Sequence, residues 1–223
     1  MSERPYDVVT FDCYGTLIDW REGIGGAFVE AAARDGVTLT ADEVLRVYGE
    51  VEPVVEAEMY RSYRSVLTET ARRVGPRLGW PVPEARAAFL PESLPAWRPF
   101  PDTNAALERL ARAGYALGIL SNVDDDLLAA TRRQFTVDFE IVITAQQVRS
   151  YKPVHGHFTV ARQRIGGRRW LHAAQSHFHD VTPAVALGIP VAWINRHHQA
   201  TPAGGARPQR EFDRLSGLAE WLA

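Results

Sequence analysis

Five short apolar runs limit the folds that this chain can adopt. They lie at residues 6–11, 116–120, 140–144, 170–174 and 190–194. Each run is nearly continuous in apolar residues instead of alternating with polar ones, which is typical of parallel strands covered on both faces. Helical stretches separate the later runs. The pattern therefore predicts an α/β protein with a doubly wound parallel sheet of the Rossmann type.

Residues 20–96 interrupt this alternation and have the pattern of helices. Residues 40–43 form a capping box, which marks a helix start, and Pro53 predicts a break in the helix that follows. We therefore expect two domains. An α/β core domain comprises residues 1–19 and 97–223, and a helical cap domain at residues 20–96 is inserted after the first strand.

Composition and charge narrow the class of protein. The chain has 223 residues, 46% of them hydrophobic, and a net charge of −2, which argues against a nucleic-acid partner. No apolar run reaches the roughly 18 residues of a transmembrane helix, and the first residues lack a secretory pattern. A single cysteine fits a reducing cytoplasm. We expect a cytoplasmic protein with a small-molecule substrate and no membrane partner; a homodimer is compatible with general frequencies.

Polar residues stand where the apolar runs end. Asp12 closes the first run, and Gly15 and Thr16 follow it in a turn, while Ser121 and Asn122 close the second run. The corresponding positions further along the chain hold Lys152 after the third run and Gln175, Ser176, His177, His179 and Asp180 after the fourth. Because the carboxyl ends of parallel strands meet at one edge of a sheet, we expect these side chains to form one site.

Lys152 is the single lysine among the 25 lysine and arginine residues of the chain. A compact ammonium and a planar guanidinium are not interchangeable, so a site that needs an ammonium would keep its lysine. The alternative is chance survival of one lysine at the surface. The count alone leaves both interpretations open.

Other residues near the predicted site have plainer interpretations. Cys13 is expected to be a small buried apolar residue. Tyr14 either lines the site or packs beside it, and His172, in the middle of the fourth run, is expected to be a core residue. The acidic residues 124–126 are expected to stabilise the start of their own helix.

Four segments, in order, carry a family resemblance. Residues 12–17 (DCYGTL), 120–122 (LSN), 150–153 (SYKP) and 179–180 (HD), the last supported by 193–196 (WINR), resemble the motifs of the haloacid dehalogenase superfamily. Within it they are similar to the L-2-haloacid dehalogenase branch, and the match covers nearly all of the expected core. The resemblance implies a haloacid dehalogenase-like fold with an inserted helical cap.

The resemblance also implies roles for individual residues. Asp12 would be the nucleophile, Lys152 would keep it ionised and in place, and Asp180 would orient Lys152 or the hydrolytic water. The expected substrate-binding residues are Tyr14, Thr16, Ser121, Asn122, Ser176 and His177, with Ser121 and Thr16 on the substrate carboxylate and Asn122 beside the leaving halide. The branch commonly places a halide-binding arginine in the early cap, and Arg21, Arg61 and Arg64 are the open alternatives for it here.

Two departures separate this chain from the magnesium-dependent phosphatases of the superfamily. Those enzymes carry an acid two residues after the nucleophile and a metal-binding acid five residues before the position of Asp180. Tyr14 and Gln175 stand at these positions here. Mg²⁺ usually requires one or two carboxylates, whereas a halide leaves as a stable anion without protonation. The resemblance therefore favours an enzyme that needs neither metal nor cofactor.

The predicted reaction is hydrolysis of the carbon–halide bond of small 2-haloacids. Asp12 would displace the halide to give an aspartyl ester, and water would hydrolyse this ester to a 2-hydroxy acid. Asp180 is the first candidate for the base of the second step, with His177 and His179 after it. Two alternatives stay open: a phosphatase with a degenerate magnesium site, and a non-catalytic binding protein on the same fold.

Overall fold

The computed structural model describes residues 4–223. Within this stretch the chain forms two compact units. The first comprises the described residues up to Ile18 together with Pro99–Asn122 and Arg133–Ala223, and the second comprises Asp19–Arg98 and Val123–Arg132. The core and cap domains stay a prediction, because a compact unit need not be a domain that folds alone.

The first unit is built on a parallel sheet. Its strands are β1 (Val8–Phe11), β2 (Ala116–Ser121), β3 (Ile141–Thr144), β4 (Trp170–Ala174), β5 (Val191–Ile194) and β6 (Arg210–Phe212). They are ordered β3-β2-β1-β4-β5-β6, and each neighbouring pair is parallel. The strands β1 to β5 fall on the five apolar runs, so the predicted doubly wound sheet is confirmed. β6 is short and partly exposed, which is why no apolar run marks it.

The strand order reverses on either side of β1. The chain adds β2 and β3 on one side of β1, and then adds β4, β5 and β6 on the other. In open α/β sheets, ligands bind beyond the carboxyl ends of the strands at such a switch point. The residues that directly follow β1, β2 and β4 therefore occupy the position where chemistry is expected.

Helices alternate with these strands and also build the second unit. They are, in chain order, α1 (Trp20–Ala33), α2 (Ala41–Glu56), α3 (Tyr63–Arg77), α4 (Phe89–Ser93), α5 (Thr103–Arg112), α6 (Asp125–Arg132), α7 (Ala145–Val148), α8 (Gly156–Ile165), α9 (Thr182–Ala186) and α10 (Leu215–Leu222), with a π-helical turn at His177–Val181 and 3-10 turns at Glu84–Arg86 and Leu94–Ala96. The helices α1 to α4 and α6 belong to the second unit. Along residues 4–223, no helix is both long and apolar enough to cross a bilayer.

The core of the first unit lies between the sheet and the helices that cover it. Leu120, Ile143, Phe158 and Val181 are completely buried there, and Trp193 nearly so. These side chains come from three strands, one helix and the π-helical turn. This packing fixes the carboxyl ends of β2, β3 and β5, where polar residues of the chain follow the strands.

Helix α2 begins as the sequence predicts but continues further. The Thr40 hydroxyl accepts a hydrogen bond from the backbone N–H of Glu43, and the Glu43 carboxylate accepts one from the backbone N–H of Thr40. The helix then runs through Pro53, so the break predicted at this proline is wrong. Buried Val51 and Val55 lie on both sides of the proline, and their packing maintains the helix in spite of one missing hydrogen bond.

Asp125 and Asp126 lie in the first turn of α6, as predicted for the acidic run 124–126, but the side chain of Asp124 has a different role. Its carboxylate accepts hydrogen bonds of 2.9 Å from the backbone N–H groups of Tyr63 and Arg64, at the start of α3. Arg64 also pairs with Asp126 at 2.6 Å. Asp124 therefore caps another helix of the second unit, which explains why the segment Val123–Arg132 groups with that unit.

Candidate active site

The turn after β1 holds Asp12 in a buried position at the switch point. The Asp12 residue is 7% exposed. The turn is closed by hydrogen bonds from the backbone N–H of Gly15 to the carbonyl of Ile18, and from the N–H groups of Leu17 and Ile18 to the carbonyl of Cys13. Gly15 has a φ of 102°, a region that favours glycine. Cys13 is completely buried, as expected.

Lys152 lies at the centre of the site. Its Nζ donates hydrogen bonds to Asp12 Oδ1 at 2.9 Å, to Asp180 Oδ1 at 2.6 Å and to the carbonyl oxygen of Leu120 at 2.9 Å. The residue is 1% exposed. An ammonium has three donors, and all three are used on oxygens from three different parts of the chain. A planar guanidinium could not reproduce this arrangement. The single lysine of the chain is therefore kept by a buried site that needs an ammonium and is not a chance survivor at the surface.

The three charged groups shift one another's pKa values. Burial raises the pKa of Asp12 above its usual value, against the attraction of Lys152. Burial opposes the ionisation of Asp180 as well, but Lys152 and a hydrogen bond from His172 outweigh it and lower the pKa of Asp180 to about 2. Burial alone would lower the pKa of Lys152, yet the two carboxylates raise it to about 12. Lys152 and Asp180 are therefore charged over the whole physiological range.

Asn122 fixes the backbone of the lysine. Its side-chain Oδ1 accepts a hydrogen bond from the backbone N–H of Lys152 at 2.7 Å, and its Nδ2 donates to the carbonyl of Lys152 at 3.1 Å. These two hydrogen bonds fix the position of the Lys152 backbone, from which the side chain extends to the carboxylates. The predicted contact of Asn122 with a halide stays a prediction.

Thr16 acts on the nucleophile itself. Its hydroxyl donates to Asp12 Oδ2 at 2.9 Å and accepts from the backbone N–H of Gln175 at 2.8 Å. Arg196 donates to the carbonyl of Thr16 at 2.9 Å. Both carboxylate oxygens of Asp12 thus have a donor, one from Lys152 and one from Thr16. The Thr16 proton is directed at Asp12, and the predicted contact of Thr16 with the substrate carboxylate stays a prediction.

Ser121 provides a buried hydroxyl next to this network. The residue is 1% exposed, and within residues 4–223 its Oγ has no hydrogen-bond partner. Its carbonyl oxygen lies 3.0 Å from Nε2 of the buried His157. Burial, with Lys152 as a second cause, lowers the pKa of His157 to about 3, so this imidazole is neutral. Because a buried hydroxyl without a partner is costly, Ser121 Oγ is suited to receive a ligand.

The remaining predicted residues make contacts outside the carboxylate network. Ser176 Oγ accepts from the backbone N–H of His179 at 3.0 Å and thereby caps the π-helical turn. The ring nitrogens of His177 lie 2.9 Å from the carbonyl of Ala206 and 3.4 Å from Thr182 Oγ1. Tyr14 is half-buried beside the nucleophile. Roles for Tyr14, Ser176 and His177 in substrate binding stay predictions.

His172, which was predicted to be a core residue, also contacts the site. It is completely buried, and its Nε2 lies 3.0 Å from Asp180 Oδ1. On the other side of the ring, Nδ1 lies 2.8 Å from Thr10 Oγ1. The available signal was a single polar residue inside the apolar run 170–174, facing a threonine at the paired position of β1.

The comparison with protein families identifies the chain. The model of the haloacid dehalogenase-like hydrolases matches residues 6–176. The chain belongs to the haloacid dehalogenase-like hydrolase family. The family expected from the four motifs is thereby confirmed. Tyr14 and Gln175 are therefore departures from the pattern of the phosphatases within this same family.

Relatives of this hydrolase include named dehalogenases. An (S)-2-haloacid dehalogenase of Pseudomonas putida is 26% identical and covers 98% of this chain and 99% of its own length. The haloacetate dehalogenase H-2 of Moraxella sp. strain B is 31% identical over 143 residues, which is 63% of this chain and 64% of that protein. The first of these similarities covers nearly the whole chain and therefore includes the sheet and the strand ends described above.

Solved structures confirm the fold but do not decide the chemistry. The L-2-haloacid dehalogenase of Xanthobacter autotrophicus with covalently bound chloropropionic acid superimposes with a TM-score of 0.82 at 21% identity, over 96% of this chain and 97% of that one. A HAD-hydrolase from Bacillus subtilis bound to magnesium also has a TM-score of 0.82, at 16% identity, over 99% of both chains. The same fold therefore accommodates both types of site.

The side chains of this hydrolase do not fit a magnesium ion well. The carboxylates of Asp12 and Asp180 share one ammonium, and Asp180 Oδ1 has a second contact with His172. Gln175 offers only a neutral amide where the phosphatases have an acid. Nowhere in residues 4–223 do three His, Cys, Asp or Glu side chains form a group that could hold a metal. Mg²⁺ would have to compete with Lys152 for both carboxylates.

Proposed function

We propose that this hydrolase cleaves the carbon–halogen bond of small 2-haloacids, with Asp12 as the nucleophile. The observation that carries the proposal is the placement of one ammonium, Lys152 Nζ, between Asp12 Oδ1 and Asp180 Oδ1 at the switch point of the sheet. Relatives that match over nearly the whole chain are named (S)-2-haloacid dehalogenases, which supports this class of substrate.

The first step is a displacement at carbon. A carboxylate oxygen of Asp12 forms a bond to C2 of the haloacid, the carbon–halogen bond breaks, and the halide leaves with the electron pair. Lys152 and Thr16 hold the carboxylate in one orientation, which replaces a bimolecular encounter by a preorganised one. The Ser121 hydroxyl, buried and without a partner among the described residues, is the group that we propose for the substrate carboxylate.

The second step regenerates the enzyme. Water attacks the ester carbonyl carbon of Asp12, and the bond between this carbon and the product oxygen breaks. One water proton passes through the base to the departing oxygen, which gives the 2-hydroxy acid. The second water proton is released to solvent, and the water oxygen stays in the Asp12 carboxylate. The two steps divide a difficult substitution into two easier ones.

We also propose that the reaction needs neither metal nor cofactor. A phosphate ester would require an acid for its leaving alkoxide and a cation for its charge. Tyr14 and Gln175 supply neither in the positions where the phosphatases do. The single cysteine supports a location in the reducing cytoplasm.

An assay of two leaving groups tests the proposal. Halide release from chloroacetate and from (S)-2-chloropropionate is measured beside phosphate release from p-nitrophenyl phosphate, each with Mg²⁺ and with chelator. We expect halide release that does not depend on Mg²⁺. In Asp12→Asn the rate should fall by at least about 1,000-fold, since the nucleophile is lost.

The fold of the Asp12→Asn variant serves as the control. Removing one of two neighbouring buried carboxylates leaves the pair of Lys152 with Asp180 intact, so the melting temperature should stay at or above that of the wild type. Phosphate release that requires Mg²⁺, with no release of halide, would overturn the proposal.

A further inference from the structure

We infer that His172 is a positioning residue for ester hydrolysis, which orients Asp180 so that Oδ2 is the oxygen that takes the proton of the hydrolytic water. The inference rests on the proposed function, because it requires an ester on Asp12. It assigns a role to a residue that occupies the middle of β4 and has no direct contact with Asp12 among those described above.

A chain of buried hydrogen bonds fixes the tautomer of His172. The indole Nε1–H of Trp170 can only donate, and it donates to Thr10 Oγ1 at 2.8 Å. The Thr10 hydroxyl then directs its own proton to His172 Nδ1, 2.8 Å away. A neutral imidazole that accepts at Nδ1 carries its proton on Nε2. His172 therefore donates from Nε2 to Asp180 Oδ1 at 3.0 Å.

The surrounding packing fixes the plane of the ring. The rings of Phe158 and His172 pack in a T-shaped contact, with 5.3 Å between their centroids and an interplanar angle of 89°. Thr10 and His172 are paired in the register of β1 and β4, and both are completely buried. The ring can neither turn over nor exchange its partners for water, so the direction of the hydrogen bond to Asp180 is set by the fold.

This arrangement makes the two oxygens of Asp180 different. Oδ1 accepts from Lys152 Nζ at 2.6 Å and from His172 at 3.0 Å. Oδ2 is buried, and within residues 4–223 it has no hydrogen-bond partner. A buried carboxylate oxygen without a donor is the place where an ordered water is expected. Because Lys152 and His172 both donate to Oδ1, Oδ2 is the oxygen of Asp180 that is left to accept a hydrogen bond from water.

The second half-reaction then has a defined proton path. Water binds Asp180 Oδ2, its oxygen bonds to the ester carbonyl carbon of Asp12, and its proton moves to Oδ2. When the bond from this carbon to the product oxygen breaks, Asp180 passes this proton to the product oxygen. The second water proton leaves to solvent, so that Asp12 and Asp180 are both anions again and no other reactant is needed. His172 keeps its own proton throughout.

The test separates the two half-reactions. His172→Phe removes the donor but leaves Lys152 on both carboxylates, so the first turnover of chloroacetate should still release halide at close to the wild-type rate. The steady-state rate should fall on the order of 10- to 100-fold. Intact-protein mass spectrometry should show the ester accumulating, and peptide mapping should place it on Asp12.

Three further variants show whether an effect of His172→Phe comes from the lost hydrogen bond or from a loss of folding. His172→Gln keeps an amide donor and should restore turnover and remove most of the trapped ester. Thr10→Val removes the hydroxyl that fixes the tautomer and should accumulate ester to a smaller extent than His172→Phe. His157→Phe is the matched control, because it removes another completely buried imidazole whose contact is with a backbone carbonyl. Its fraction of esterified enzyme should stay at the wild-type level.

The outcomes distinguish this inference from the proposed function. If the wild type releases no halide from any haloacid, both the proposed function and the inference are wrong. If the wild type releases halide but neither His172→Phe nor Thr10→Val accumulates ester, only the inference is wrong. Equal loss of the first turnover and of the steady state in both variants would also overturn it, because His172 would then act on the first step or on folding.

Discussion

Both units of this hydrolase carry surface ion pairs, such as that of Arg112 with Glu108 in the first unit, but the first unit also holds a buried charge cluster. In the first unit, Lys152 is 1% exposed and binds two carboxylates that are themselves buried. In the second unit, arginines form many ion pairs, and these lie at the surface. They join Arg34 to Glu30, Arg46 to Glu50, Arg61 to Glu58, Arg64 to Asp126, Arg73 to Glu58 and Glu69, and Arg77 to Glu50.

The contrast separates charge that serves a reaction from charge that covers a surface. Exposed pairs are screened by water and salt and contribute little to stability. A buried pair gains little net stability either, but removal of one partner leaves an uncompensated charge. The buried cluster is therefore the part of the molecule where a single substitution has large consequences, and an ammonium is retained there while arginine serves elsewhere.

The surface ion pairs of the second unit include two of the candidates for the halide-binding arginine. Of the three candidates, Arg61 and Arg64 pair with Glu58 and Asp126 within the second unit. The guanidinium of Arg21 lies over the ring of Trp20, 5.9 Å from its centroid. An arginine that already has a carboxylate partner binds a halide less strongly, because the halide must replace that partner.

The largest effect on stability is expected when the buried cation is removed. Lys152→Met leaves Asp12 and Asp180 side by side without a counter-charge. We expect the free energy of unfolding to fall by about 3–5 kcal/mol, measured by urea denaturation. Arg64→Met is the matched control, since it removes a cation of similar length from an exposed pair. Equal effects of the two substitutions would show that burial does not distinguish the two units.

Alkaline pH gives a second, smaller test. The pKa of Lys152 is raised from 10.5 to about 12, so its contribution to stability is complete below 10.5 and is lost as the pH rises through about 12. This shift corresponds to about 2 kcal/mol. The difference in unfolding free energy between the wild type and Lys152→Met should shrink across this window. A difference that stays constant would contradict the assignment of a charged Lys152.

The smallest effect is expected at the surface of the second unit. Arg64→Met should change the melting temperature by less than about 2 °C, and the change should become smaller still in high salt. The KM for chloroacetate should stay within about twofold of the wild type. Calorimetry and the halide assay measure the two quantities. A large rise in KM with an unchanged melting temperature would instead make Arg64 the halide-binding arginine.

The sequence pattern was sufficient to predict the first five strands of the sheet, the family and the three charged groups of the site. Continuous apolar runs predict parallel strands because both faces of such a sheet are buried, and parallel strands bring their carboxyl ends together. Asp12, Lys152 and Asp180 follow from their positions at those ends. For these three residues, the position after a strand in the sequence was enough to predict that their side chains meet in the folded protein.

The hydrogen-bond partners of several side chains follow from the tertiary structure and not from the sequence pattern. His172 lies inside an apolar run, and its contact with Asp180 depends on the π-helical turn His177–Val181, which places that carboxylate. Thr16 donates to Asp12, and Asp124 caps a helix some 60 residues away in the sequence. A hydrogen bond depends on distances of a few tenths of an ångström between segments far apart in the chain. Residue spacing along one strand or helix does not contain those distances, whereas the packed fold does.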